Sequence, residues 1–425
     1  MNSNIDTPTT PFRRRIGRIL SRFASYATLF AILAVILYLI ADQIYLARAV
    51  EQREGFDDRF QPMIVSEAMR DQVEPRFDAA RYYRYAALLL SKADPGFNVP
   101  NQNDPLTLIL QTTATPAPGD PLRTRIESAS PAIDILMHVA TKTAAVYKPA
   151  IENNDYLTHI DEMRGLASYL NAQAILSAYD GDARAASNYL AAALNLANNC
   201  EGNPNLIWCM IAQGSAMNGR SAAQKILGMT HLDETTGIER ELKRLGDSDN
   251  FKRAIVNETK QMNDFLYEQS PLRLFGALNE IATLRFVMNL DEAMKRDTYQ
   301  QRVELLDTYK HAGGRRITLT PLLQMTVPNV LRSAQSDAEF KIYVTQFQTA
   351  IALNHYKRQL GRYPDTLDAL VPQFMTAVPQ DAFSASPMTY THEANGYTLL
   401  SIGPDGKDNG GIEGQDLVWT VTHEP

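Results

Sequence analysis

Cysteine, histidine and net positive charge are all scarce in this sequence. Among 425 residues there are 2 cysteines and 7 histidines, and the formal net charge is −7. An acidic chain lacks the basic footprint that phosphate recognition requires, so we expect no nucleic acid among its partners. The sequence also has no Gly-x-Ser-x-Gly elbow, no His-Glu-x-x-His pair, no phosphate-binding loop and no Gly-x-Gly-x-x-Gly. These absences predict a protein that is not an enzyme.

Long apolar runs are equally rare, and the one that stands out lies near the N-terminus. Residues 23–41 carry no charge and would form a helix about 28 Å long, which matches the hydrocarbon core of a bilayer. Arginines are concentrated in residues 1–22, and the positive-inside rule therefore places that basic segment in the cytoplasm. We expect a single-pass protein of the inner membrane with its bulk in the periplasm. A cleaved signal peptide, with Ala47-Arg48-Ala49 as its site, is the alternative.

The region after the apolar run has mostly helical patterning. Apolar residues recur at helical spacing through much of residues 42–315, which predicts an extracytoplasmic α-helical domain. Prolines cluster in residues 94–121 and predict a long loop there. A glycine-containing break at residues 311–316 predicts the end of this domain.

Residues 171–199 have the pattern of a helical hairpin that turns at Gly181. Ala174, Ala186 and Ala193 would let the two helices approach closely, and this spacing resembles one tetratricopeptide unit. Asn198 stands where that unit has its terminal proline, and no second copy follows at the expected period. The resemblance implies a solenoid-like domain with a groove for a partner, whereas ordinary packing of α-helices explains the same pattern.

The two cysteines, Cys200 and Cys209, flank a connection that contains Gly202-Asn203-Pro204. In an oxidising compartment this arrangement predicts a disulfide, which would contribute about 2–3 kcal/mol. The gap between them is too long for the closely spaced pairs that bind zinc. Two buried thiols are the alternative, because free cysteine is among the most buried residue types.

Residues 330–425 change from helical to mixed patterning. A long amphipathic helix comes first, and alternating runs after it predict the strands of a small α+β domain. Ordered segments between Ala350 and Trp419 resemble the C-terminal domain of the major pseudopilin of type II secretion systems. The matching segments are Leu360-Gly361-Arg362-Tyr363-Pro364, Leu367 to Pro372, Val378-Pro379-Gln380-Asp381, and Gly396-Tyr397 leading to Ser401-Ile402-Gly403-Pro404-Asp405-Gly406.

The resemblance implies a calcium site in the loop between the last strands. In that family backbone carbonyls and aspartates bind the ion, and the matching positions here are Leu400, Ser401, Asp405 and Asp416. The residues themselves support this, because hard oxygen ligands on a glycine-rich loop suit calcium. A solvated loop without an ion is the alternative. The side-chain oxygens of this loop belong to Asp405, Asp408, Asn409, Glu413 and Asp416.

Departures from the pseudopilin pattern limit what the resemblance implies about function. The apolar helix lacks the Gly-Phe-Thr-Leu-x-Glu processing segment, and the whole helical region separates it from the C-terminal domain. We therefore do not expect assembly into a pseudopilus. The sequence predicts a mainly α, membrane-anchored binding or scaffold protein, whose partners are envelope proteins such as secretion machinery. The alternative is an extracytoplasmic hydrolase-like enzyme with a site formed within the helical domain.

Overall fold

A computed structural model of the chain describes residues 11–60, 79–95, 97, 104–140, 156–200, 206–232, 234–269, 273–296, 299, 301, 303–304, 321–393, 395–412 and 414–423. The described residues are mainly helical, as predicted, with a small sheet near the C-terminus. The helices are α1 Pro11–Phe60, α2 Ala79–Ala93, α3 Pro105–Gln111, α4 Pro121–Ser128, α5 Ser130–Ala140, α6 Tyr156–Tyr179, α7 Ala183–Cys200, α8 Leu206–Met229, α9 Thr236–Gly246, α10 Asn250–Gln269, α11 Arg273–Met294 and α12 Pro321–Leu360.

The apolar run lies within α1, which is long and apolar enough to cross a membrane. The large apolar side chains from Phe30 to Ile40 are exposed, as expected for a surface that faces lipid. Beyond Ala41 the helix continues without a break and becomes partly buried, with Ala49 and Phe56 in contact with the rest of the protein. A helix of 50 residues is about 75 Å long, so α1 extends well beyond one bilayer.

The prediction of a loop through residues 94–121 is wrong in part, because α3 lies inside it. Asp104 accepts a hydrogen bond from the Thr107 amide at 3.2 Å, and Pro105 occupies the first turn of α3. Asp120 and Pro121 begin α4 in the same way. Aspartate followed by proline is a helix start, since proline lacks the amide hydrogen that the first turn leaves unpaired.

The predicted helical hairpin is formed by α6 and α7, which pack along each other. Gly181 has a φ of 78° in the turn between them, and Asp182 caps α7 through the Ala185 amide at 2.9 Å. Ala174 and Ala186 are fully buried between the helices. Small side chains therefore set this close approach, as the spacing indicates. The tetratricopeptide resemblance itself stays a prediction.

The predicted disulfide between Cys200 and Cys209 is wrong, because the structure does not join the two residues by a disulfide bond, and both side chains are buried. Cys200 ends α7 and packs in an apolar cluster with residues of α2, such as Tyr83. Cys209 lies in the first turn of α8 and packs with Phe56 of α1 and with α10. The two side chains belong to different clusters, so closeness in sequence does not bring their sulfurs together.

The C-terminal sheet is antiparallel, with the order β1 (Thr389–Glu393), β2 (Gly396–Ser401) and β3 (Leu417–Thr422). A short 3-10 helix, Leu367–Leu370, lies between α12 and this sheet. The α12 helix begins at Pro321 and therefore crosses the expected boundary at residue 330. The predicted break at residues 311–316 lies outside the described residues.

Strand β3 packs directly against the helical region. The Trp419 ring is fully buried, and its centroid lies 5.2 Å from that of Phe347 on α12. The Arg220 guanidinium of α8 donates to the Val418 carbonyl. Gly228 on α8 faces the Thr422 backbone so closely that an added Cβ would lie 2.5 Å from the Thr422 carbonyl oxygen. The C-terminal strands and the hairpin helices therefore share one apolar core.

This close approach predicts opposite effects for two glycine substitutions in α8. Gly228→Ala forces the Cβ into the Thr422 backbone and should lower the free energy of unfolding by about 1–3 kcal/mol. Gly214→Ala is the matched control, because a Cβ there meets nothing within 4 Å and alanine favours a helix by about 1 kcal/mol. Thermal melting of both full-length variants in one detergent checks this. Equal melting temperatures would contradict the contact.

Candidate functional site

The acidic loop between β2 and β3 is held by its own backbone amides. Asp416 is buried, and its carboxylate accepts hydrogen bonds from the amides of Asn409 at 3.1 Å and Gly411 at 2.7 Å. Asp408 accepts from the Gly410 amide at 2.9 Å. A buried carboxylate needs such donors, and those of Asp416 are amides of the same loop.

The remaining predicted calcium ligands also have protein partners. Asp405 accepts from the Asn409 side-chain amide at 3.0 Å and from the Lys407 backbone amide at 3.1 Å, and these bonds lower the pKa of Asp405. Leu400 lies in β2, where it pairs with both neighbouring strands. Ser401 is fully buried and donates its hydroxyl hydrogen away from the loop, to Asp381 at 2.8 Å.

Asp381 is a buried residue that sequence reasoning did not single out as a structural centre. Its carboxylate accepts from the Ser401 hydroxyl and from the amides of Ile402 at 3.0 Å and Phe383 at 2.8 Å. Within the described residues no group of three histidine, cysteine or acidic side chains is placed to hold a metal, and Glu413 lies outside them. Carboxylate oxygens are ligands that suit calcium, but the carboxylates of this loop accept hydrogen bonds from N–H groups. Calcium binding therefore stays a prediction.

A larger candidate site is the cleft between α9, α12 and residues 371–376, which we call the α9–α12 cleft. Its volume is about 1150 Å³. Glu234, Glu239, Lys243 and Arg358 bring charges of both signs to its lining. The other lining residues include the amides Gln348, Gln359 and Gln373 and the apolar side chains Ile351, Phe374 and Met375.

Thr235, Glu239 and His355 meet in the lining of this cleft. The Thr235 hydroxyl lies 2.6 Å from the Glu239 carboxylate and 2.8 Å from His355 Nε2. The same nitrogen lies 3.1 Å from Glu239, and the hydrogen bond from His355 is the main cause that lowers the pKa of Glu239. In a catalytic triad the acid and the nucleophile contact different imidazole nitrogens. Here Glu239 and Thr235 both contact Nε2 of His355, so these contacts do not orient the imidazole as a general base.

A buried carboxylate behind the cleft fixes the position of α9. Glu241 is almost fully buried and accepts from Arg244 at 2.7 Å, Arg240 at 2.8 Å and the Asn198 side chain at 2.9 Å. Asn198 lies on α7, so this contact ties α9 to the hairpin. A buried charge persists only where donors surround it. The wall of the cleft is therefore anchored to the helical region.

The segment that follows α12 is joined to the end of the C-terminal strand through His423. Its Nε2 lies 2.6 Å from the Tyr363 hydroxyl, and its Nδ1 lies 3.1 Å from the Gly228 carbonyl oxygen. Burial and the nearby positive charge of Lys357 lower the pKa of His423, and His231 is 5.9 Å away between ring centroids. The neutral imidazole, with Nδ1 donating and Nε2 accepting, satisfies both contacts.

We expect Asp416→Ala to destabilise the full-length protein even when a chelator is present. The buried carboxylate accepts charge-assisted hydrogen bonds from two loop amides, and their loss costs on the order of 2–3 kcal/mol. Thermal melting in chelator and in calcium measures this. Asp408→Ala, at an exposed position with one such bond, should cost less. A loss seen only in calcium would show that the ion, and not the amides, holds the loop.

The lowered pKa of His423 predicts a loss of stability in mild acid. The folded state binds this proton more weakly than the unfolded state, so its contribution is complete above the ordinary value of about 6.5 and falls as the pH drops below it. His423→Gln should flatten the dependence of melting temperature on pH between about 7 and 5. His392→Gln, on exposed strand β1, is the control. An unchanged slope in His423→Gln would contradict this assignment.

No family model, no curated protein and no solved structure matches this chain. The assignment of a function therefore depends on the geometry of the chain itself.

Proposed function

We propose that this chain is a membrane-anchored, extracytoplasmic binding or scaffold protein that holds an extended segment of an envelope protein in the α9–α12 cleft. The observation that carries the proposal is the cleft, whose volume of about 1150 Å³ exceeds that of most small-molecule pockets. The cleft lies where α12 meets α9 of the helical region, so a ligand bound there would contact both helices.

The lining of the cleft suits a polypeptide. Glutamine side chains donate and accept hydrogen bonds, which is what an extended backbone offers, and Gln373 already donates to Gln359 at 3.1 Å. Phe374 and Met375 provide apolar contact, and the flexible methionine adapts to different side chains. Charges of both signs in the lining favour a partner segment of mixed charge.

Binding is preferred over catalysis because of the arrangement around His355. A hydrolase needs a nucleophile and a base that is oriented through its second nitrogen, whereas Thr235 and Glu239 share His355 Nε2. The proposal includes partners in the secretion machinery, for which the pseudopilin resemblance is the reason. It also includes an anchor in the inner membrane, which α1 supports by its length and apolar surface.

Site-specific photocrosslinking in native membranes tests the proposal. A photoreactive residue at Gln359, inside the cleft, should capture a discrete envelope protein, whereas one at exposed Met210 on α8 should not. We expect Gln359→Glu with Gln373→Glu to reduce capture from a third cleft position several-fold, because carboxylates lose the amide donors without a change in size.

Gln111→Glu, on the exposed end of α3, is the matched control and should capture as the unchanged protein does. Secretion components among the captured proteins would identify an accessory of secretion, and other envelope proteins would identify a different scaffold role. Equal capture in the cleft variant and the control would contradict the cleft as the binding site.

A further inference from the structure

Two carboxylates line the α9–α12 cleft, and they differ in the cations around them. The Glu234 carboxylate lies 3.4 Å from the Arg184 guanidinium. Among the residues that the structure describes, no lysine or arginine lies within ion-pair distance of Glu239, and its one ionisable partner is His355 Nε2 at 3.1 Å. The charge of Glu239 is therefore not matched by a permanent cation of the described chain.

One oxygen of the Glu239 carboxylate is available to a ligand. Thr235 and His355 both contact Oε1, at 2.6 Å and 3.1 Å, and no described residue forms a hydrogen bond with Oε2. The Glu239 side chain lines the cleft and keeps 51% of its surface exposed. An ionised carboxylate accepts several hydrogen bonds, so a cationic donor that enters the cleft can bind Oε2.

The surroundings fit the long basic side chains of a polypeptide. Ile351, Phe374 and Met375 line the same cleft, and the centroid of the Phe374 ring lies 5.5 Å from that of Tyr356. Lysine and arginine bury their aliphatic stems against apolar surface while the charged end reaches a polar group. The lining therefore favours a lysine or arginine as the residue of the bound segment that contacts Glu239.

Protonation of His355 changes the charge next to Glu239. Histidine is the side chain that ordinarily titrates between about pH 5 and 8. The hydrogen bond from His355 is the main cause that lowers the pKa of Glu239, so Glu239 stays ionised over this range. Neutral His355 offers Oε1 only an uncharged donor, whereas the imidazolium adds a positive charge at 3.1 Å.

The groups around His355 leave it as the residue that changes the charge of the described lining in mild acid. Residues 371–376 contribute no titratable side chain, and Asp233 lies outside the described residues. His231 contacts Asn354 at 3.1 Å and does not line the cleft. The charged side chains of the lining are Glu234, Glu239 and Lys243, from α9 and the residues before it, and Arg358 from α12.

We propose that Glu239 Oε2 binds a lysine or arginine side chain of the extended segment held in the cleft, and that protonation of His355 weakens this contact. The imidazolium pairs with the carboxylate and cancels the charge that attracts the basic side chain. The inference rests on the proposed function, because it names the residue of the segment that the cleft recognises. It makes the protein a scaffold that holds its partner at neutral pH and releases it in mild acid.

Photocrosslinking of the full-length protein in native membranes tests this, from a photoreactive residue at Gln359. We expect capture to fall several-fold from about pH 7.5 to about pH 5.5, the range in which histidine gains its proton. Glu239→Gln should capture several-fold less at the higher pH, because it keeps the size of the side chain and loses the charge. Glu234→Gln is the matched control and should capture as the unchanged protein does, because the Glu234 carboxylate already faces Arg184.

Removal of the imidazole tests the dependence on pH. His355→Gln should capture equally at both pH values, because glutamine gains no charge in acid. His355→Asn is the second variant if His355→Gln does not fold, and thermal melting at the lower pH shows which variants are folded. Mass spectrometry of the crosslinked partner should find a lysine or arginine within a few residues of the crosslink.

The possible results separate this inference from the proposed function. Equal capture by Glu239→Gln and the unchanged protein at the higher pH would overturn the inference and leave the cleft as the binding site. A fall in acid that persists in His355→Gln, or a crosslinked segment without a basic residue, would do the same. Absence of capture from Gln359 at both pH values would overturn the proposed function and, with it, this inference.

Discussion

Burial of Trp419 between the C-terminal sheet and α12 is the contact on which the rest of the fold depends. The ring packs on Phe347 and Tyr343, and the Tyr343 hydroxyl donates to the Ala216 carbonyl of α8 at 2.8 Å. One aromatic stack thus joins the sheet, α12 and the helical region. Because α12 also lines the α9–α12 cleft, the shape of the cleft follows from this packing. If α12 and the C-terminal sheet contacted the helical region through a small interface without a shared core, the cleft could change its shape.

Buried carboxylates determine where the elements meet. Glu241 joins α9 to α7, Asp291 joins α11 to α1 and α10, and Asp381 joins the segment after α12 to β2. Burial of each carboxylate costs desolvation free energy, and only the cations or N–H donors around the carboxylate offset that cost. Removal of one donor would leave a charge buried without a partner. These acids therefore specify positions in the fold, although in the sequence an acidic residue points as readily to a metal or a catalytic site.

Sequence patterns predicted the local elements well and the contacts between distant residues poorly. The apolar run and the hairpin around Gly181 follow from spacing along one or two helices, which periodicity reports directly. The prolines after Asp104 and Asp120 were misjudged because proline at a helix start and proline in a loop look alike without the cap. The disulfide failed since spacing does not reveal which apolar cluster each thiol enters. The α9–α12 cleft could not be predicted, because Thr235 and His355 meet only through tertiary packing.

The contact between α1 and α11 determines how the proposed anchor and the proposed binding site work together. A helix that leaves the bilayer and continues for several turns along α11 transmits its direction to the folded part, because the ion pairs of Arg53 and Arg59 resist rotation between the two helices. Exposed ion pairs contribute little energy when isolated, but the carboxylates of these two pairs are buried. The two arginines alternate along α1 with the apolar residues Ala49 and Phe56, and together these contacts fix the register. A partner held in the cleft would then be presented at a set height above the membrane. For a scaffold this matters as much as affinity, because a fixed position raises the effective concentration of one partner near another.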